Sequence, residues 1–169
     1  AMIPGTTYSI GSILDITQRK LTEEKFTKIF MLSPDCIAIT RVSDGMIIDV
    51  NIGFEEITGW TREEATGKTS IDIMFWAGLE QRERMIDDLQ AGREIKHREF
   101  QFRRKDGAVR EGIYSARTIL ISGEQCLIFI LTDVTEIRET ERILKKNEQR
   151  LHGITTNIPG VVYQFYAKD

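Results

Sequence analysis

Side chains able to do chemistry are present in this chain, but their spacing does not group them as a catalyst requires. Glu55-Glu56, Glu63-Glu64 and Asp87-Asp88 are adjacent pairs on helix-like segments. Neighbouring helical residues diverge, so paired-carboxylate acid–base work is excluded. The two histidines, His97 and His152, are far apart and read as surface residues. Cys36 and Cys126 each sit inside an apolar, strand-like run, which suits buried reduced thiols rather than a disulfide or a metal site. Gly59 and Gly67 belong to no GxGxxG or Walker pattern, so no phosphate cradle is expected. Arg103-Arg104-Lys105 alternates faces of a strand and ends in a turn, the pattern of a solvated strand end. A net charge of -3 argues against nucleic acid or an anionic membrane surface as partner. No run approaches the roughly 18 apolar residues of a spanning helix, and a cytoplasmic module is expected. What remains is binding chemistry, carried by inward aromatic and small residues and by the single inward hydroxyl of Tyr114.

The elements that must position those residues follow from periodicity. Cys36 to Arg41 and Met46 to Val50 are β-branched runs around Val42-Ser43-Asp44-Gly45, a hairpin. Asn51 is placed to cap a short helix that Thr58-Gly59-Trp60 stops, and Thr61 with Glu64 forms a capping box for a second. Leu79 to Leu89 is a longer helix with Leu79, Met85, Ile86 and Leu89 on one flank. Ile95 to Arg104, Ala108 to Ser122 and Gln125 to Asp133 are strands joined by Lys105-Asp106-Gly107 and Ser122-Gly123-Glu124. The order predicts an α+β domain, an antiparallel sheet of five strands with short helices on one face and linker helices on either side.

The chain also resembles itself. Gly11 to Arg19 returns as Phe129 to Ile137, aligned on an Asp-aliphatic-Thr core with a step of 118 residues. Phe26 to Ile39 returns as Leu151 to Gln164 with a step of 125. The difference of 7 is one heptad, which preserves the phase of a helical connector. The expected organisation is therefore the last strand of an upstream copy over residues 1–17, a connector helix over 18–33, a complete domain over 34–135, a coiled-coil-like signalling helix over 136–153, and the first strand of a downstream copy within 154–169.

At this point the segment resembles a PAS domain with its C-terminal PAC portion. The resemblance is carried by Asp44-Gly45, Val50-Asn51-Ile52-Gly53-Phe54, Ile57-Thr58-Gly59-Trp60, Gly67-Lys68, Phe102-Arg103-Arg104-Lys105-Asp106-Gly107 and Asp133-Val134-Thr135, in family order across residues 25 to 137. It implies a five-stranded sheet wrapped around a pocket, in a multi-domain bacterial-type signalling protein. Strand alternation gives Phe100 with Phe102, Gly112 with Tyr114 and Ala116, and Leu127 with Phe129 and Leu131 as three same-face sets. The resemblance makes these the inward positions, with Met74, Phe75 and Trp76 as a lid. Two readings stay open: a pocket for a small apolar or aromatic ligand, or a packed core.

The resemblance also bears on cofactors, whose identity stays unknown. The Cys that forms a flavin photo-adduct falls at Ser70, and the polar contacts to the flavin ring fall at Phe102, Gly112 and Leu131, so adduct photochemistry is not expected. A haem-ligating His would lie near Arg82, and none occurs from Leu79 to Leu89. A redox flavin stacked on Trp60 or Trp76 is the flavin chemistry left open.

Asp133 and Thr135 sit where the last strand becomes the signalling helix, placed to tie sheet to helix near Lys105 to Val109. Ile137, Leu144 and Leu151, spaced by seven, form one apolar seam for a switchable parallel homodimer. The expected function is a sensory input domain that passes ligand occupancy through its flanking helices. Neighbouring PAS domains and an output domain of the same chain are the expected partners, a histidine kinase first and a diguanylate cyclase second. A ligandless dimerisation and relay module is the alternative, and the segment itself is expected to be non-catalytic.

Overall fold

The computed structural model describes residues 10–157. In chain order these are α1 (Ile10–Leu32), β1 (Cys36–Arg41), β2 (Ile47–Val50), α2 (Ile52–Thr58), α3 (Arg62–Ala65), α4 (Leu79–Gln90), β3 (Ile95–Arg103), β4 (Val109–Ile121), β5 (Glu124–Asp133) and α5 (Thr135–Asn157). The five strands form one antiparallel sheet in the order β2-β1-β5-β4-β3, so the last strand of the chain is its centre. Ala38 of β1 and Ala116 of β4 both stand opposite Phe129 of β5, and Phe100 of β3 stands opposite Gly112. This register puts Phe100, Phe102, Gly112, Tyr114, Ala116, Leu127, Phe129 and Leu131 on one buried face.

Local chemistry fixes the turn into the helices. Asn51, almost completely buried, accepts from the Phe54 N–H at 2.9 Å and from the Ile37 N–H at 2.8 Å. Its amide donates to the Ser33 carbonyl at 3.1 Å and the Asp35 carbonyl at 2.9 Å. One side chain thus caps α2 and clamps the entry of β1 with every polar group used. Gly53 lies under that clamp, where a Cβ would come 2.3 Å from the Asp35 carbonyl oxygen. Thr61 and Glu64 complete the expected capping box of α3.

Two expectations are corrected here. Residues 10–17, read as the closing strand of an upstream copy, are helical and belong to α1, where their backbone groups are satisfied along the helix instead of in a ladder. Leu79, read as an inward residue of α4, is 56% exposed. The stripe of α4 that faces the sheet runs through Arg82, Met85, Ile86 and Leu89, a helical spacing of three and four. Residues 1–9, and the downstream strand expected from Pro159, lie outside the described residues.

α5 is a unit by itself and begins two residues after Asp133, at Thr135. Along it Ile137, Leu144 and Leu151 are exposed, and so is Ile143.

Candidate functional site

The inward face of the sheet is divided into a filled half and an open half. Over β3 and β4, six aromatic rings interlock. Phe75 stacks on Phe102 at 5.8 Å, Tyr114 stacks on Phe129 at 5.0 Å, Phe100 meets Tyr114 edge-on at 4.8 Å, and Trp76 lies 5.2 Å from Phe100. Contacts of this kind each add about 0.5–1.5 kcal/mol beyond burial. Gly112 provides no spare room in this half, because a Cβ there would come 2.3 Å from Leu131 Cδ1 and 3.0 Å from Phe100 Cε1.

Over β1 and β5 lies a cavity of about 700 Å³, within the range of pockets that take a small organic ligand. Its floor is Cys36, Ala38 and Thr40 of β1 with Leu127 and Phe129 of β5, and its roof is the inward stripe of α4. Phe75 and Trp76 form the wall shared with the aromatic half. The mouth opens at the β1–β2 turn beside Arg41 and Asp44, with Thr118 and Gln125 on its sheet side. Ser70, at the position of the adduct-forming Cys, borders the cavity and accepts from Trp76 Nε1 at 3.1 Å.

Two links hold the roof. The Gln101 N–H donates to Gln81 Oε1 at 3.3 Å, and Asp88 of α4 takes Arg98 of β3 and, at 2.6 Å, Arg93. Hydrogen bonds from Arg93 and Arg98 hold the Asp88 carboxyl below the usual carboxylate range.

Of the residues anticipated for a pocket, Trp76, Leu127 and Phe129 border this cavity. Phe100, Phe102, Gly112, Tyr114, Ala116 and Leu131 are buried, but they lie outside its lining. Met74 is 66% exposed: a positive φ of 49° turns it away from the lid segment, whose neighbours Phe75 and Trp76 point inward. The Tyr114 hydroxyl is not a ligand group of the main cavity. It borders a smaller cleft with Arg98 and Asp88, and burial pushes its pKa up. Trp60 lies under Lys68 and Lys105 at 5.2 and 5.1 Å, outside the cavity lining, so the two indoles considered for flavin stacking are separated. His97 is exposed at a bulge of β3 with φ 49°. The lining residues of β1 and α4 were missed by sequence reasoning. The alternation of Cys36, Ala38 and Thr40, with a small residue at its centre, is the signal that marks β1 as floor.

At the other end of β5, Asp133 Oδ2 lies 3.4 Å from Arg110 Nη1, one residue beyond the Lys105 to Val109 segment expected to meet it.

A family model described as PAS domain matches residues 34–136. The chain belongs to the PAS domain family. The fold agrees with that of a PAS domain of an HTR-like protein from Haloarcula marismortui, 21% identical with a TM-score of 0.60 over 70% of this chain and 97% of that one. It also agrees with a PAS domain from a two-component sensor histidine kinase, 9% identical, TM-score 0.58, over 69% of this chain and 99% of that one. A third similar structure is the PAS domain, in complex with ethanol, of a LuxR-family transcriptional regulator from Burkholderia thailandensis. It is 15% identical, with a TM-score of 0.53, over 64% of this chain and 96% of that one. No curated protein matches the chain. PAS domains are sensory signalling modules, and this chain is a sensory signalling domain. Among the described residues no helix is long and apolar enough to cross a membrane, and no group of three or more His, Cys, Asp or Glu is placed to hold a metal ion.

Proposed function

We propose that this PAS domain is an input module that binds a small organic ligand between β1, β5 and α4, and that occupancy is passed through α5 to an output domain of the same protein. The observation that carries this is the cavity of about 700 Å³ with an apolar floor beside an already packed aromatic half. A core that served only as filling has no use for such a hole, because unfilled volume forfeits dispersion contacts. The ethanol bound by the Burkholderia thailandensis PAS domain is a precedent for a small ligand in this fold.

Transmission has a physical route in the chain itself. Leu127 and Phe129 touch the cavity on the same strand that ends at Asp133, from which the chain passes into α5 at Thr135. A ligand that favours one sheet geometry biases that strand, and a bias is all that is needed to shift a balanced helix pairing. The exposed seam of Ile137, Leu144 and Leu151 supports a parallel homodimer through α5. The output is a histidine kinase first and a diguanylate cyclase second, with PAS-like copies on either side in the same chain. The ligandless relay is the second reading, favoured by the six-ring cluster that fills the half of the core where a pocket was expected.

The test is native mass spectrometry of protein purified from cells against the same sample denatured, with an absorbance scan alongside. An added mass that leaves on denaturation supports the sensor. A bare mass, together with no stabilisation by any member of a panel of small acids, alcohols and aromatics, moves the assignment to the relay.

A further inference from the structure

The roof of the cavity contains one residue that a purely apolar site would not have. Arg82 stands on the inward stripe of α4 with Met85, Ile86 and Leu89, and it is half-buried. Its guanidinium reaches the mouth: Nη2 lies 3.5 Å from where a Cβ on Gly45 would be, which places it against the β1–β2 turn.

The charges around it are already matched. Arg41, the other cation at the mouth, bonds Asp44 through Nη1 at 2.9 Å and has Glu124 at 2.9 Å from Nε. Asp44 is held further by the Met46 N–H at 3.0 Å. Asp88 is taken by Arg93 and Arg98. On its own helix Arg82 has Gly78 and Leu79 before it and Met85 and Ile86 after it at the spacings where side chains meet. Glu80, Glu83 and Asp87 therefore project elsewhere. Among the described residues the Arg82 guanidinium has no ion-pair or hydrogen-bond partner.

We infer that the ligand is a small monocarboxylic acid with an apolar body, its carboxylate paired with Arg82 at the mouth and its body lying on Ala38, Leu127 and Phe129. The inference rests on the reading of the cavity as a ligand site and names the chemistry of its occupant. A half-buried cation gains most from an anion that arrives already desolvated on its apolar side, and a guanidinium matches a carboxylate through two parallel N–H donors. Charge counting selects the monoanion: one unmatched cation balances one carboxylate, whereas a phosphate monoester carries nearly two charges. The apolar floor excludes short polar acids, which would leave the inner cavity uncovered.

The experiment compares octanoate with 1-octanol by calorimetric titration of ligand-stripped protein of the full chain, alongside Arg82→Leu and Arg82→Lys. Octanoate is expected to bind about 10- to 100-fold more tightly than octanol, the worth of a hydrogen bond to a charged group. Arg82→Leu should bring octanoate down to octanol while octanol is unchanged, and Arg82→Lys should keep part of the preference. Melting of the unliganded variants verifies that each is folded. Equal binding of octanoate and octanol, with no response to Arg82→Leu, would overturn the acid assignment and leave the ligand site standing. Failure of both probes to bind at millimolar concentration would overturn the ligand site along with it.

Discussion

Ala38→Leu tests whether the core is open, and the sign of its effect decides. Ala38 is buried on the cavity floor, opposite Phe129, with its side chain on the face that carries Cys36 and Thr40. Leucine adds three carbons. Placed in an empty cavity they leave water at about 0.8 kcal/mol each, close to 2.4 kcal/mol in all. Fixing the longer side chain takes back about 0.5–1 kcal/mol, so a net gain of about 1.5 kcal/mol is expected. In a packed core the same change costs about 1–3 kcal/mol. For a domain of this size the gain is a rise in Tm of about 6–12 °C, measured by calorimetry on refolded, ligand-free protein. Gly112→Ala is the internal control, because its Cβ meets Leu131, Phe100 and Phe102 at 2.3, 3.0 and 3.2 Å. It should lower stability by about 1–3 kcal/mol. If Ala38→Leu melts below the parent protein, the cavity is not available space and the ligand site falls with it.

Other consequences are equally direct. Asn51→Ala removes a cap and three further, partly buried hydrogen bonds, so urea unfolding should show a loss of about 3 kcal/mol; about 1 kcal/mol would mean that only the α2 cap matters. The Cys36 thiol is pushed up by burial first and by the Asp35 charge second. Both thiols are buried and should stay silent to a disulfide reagent at pH 8 until the protein is unfolded. Because the raised value belongs to the folded state, the contribution of Cys36 is fully present below about pH 8.5 and is lost as pH rises beyond it; chemical unfolding at pH 7 and pH 10 measures this. Asp133→Ala gives up a long, partly exposed contact to Arg110, and Tm should change by less than about 5 °C. Ligand-induced distance changes between spin labels on α5 should nevertheless vanish, and equal loss of melting temperature and response would contradict a coupling role.

Much of the fold was legible because each device was local. The strand limits followed from β-branched runs and their turns. Asn51, Thr61 with Glu64, and Gly59 announced the helix ends by cap chemistry, which needs only four or five consecutive residues. The site was less legible. Alternation grouped Phe100 with Phe102, Tyr114 with its neighbours, and Leu127 with Phe129 and Leu131, and the family resemblance turned those sets inward, but a face has two halves, and period two does not say which half is empty. That depended on Leu131 filling the space beside Gly112 and on α4 roofing β1 instead. Arg82 was hidden for a related reason: a charged residue on a short amphipathic helix reads as surface until the register of Met85, Ile86 and Leu89 against the sheet is known. Residues 10–17 are helical although they echo the end of β5, because a sequence echo does not carry with it the pairing that β1 and β4 give to β5.

The division of the core also separates what this domain can change from what it must keep. The interlocked rings over β3 and β4 share one another as neighbours, so an alteration to any of them strains several at once, and the register of three strands depends on them. Ala38, Ile73, Met85, Ile86 and Leu89 border open volume, and exchanges of apolar residues there are absorbed without disturbing the other half. Ligand preference can therefore drift, in nature or in a library randomised at those five positions, while the scaffold stays the same.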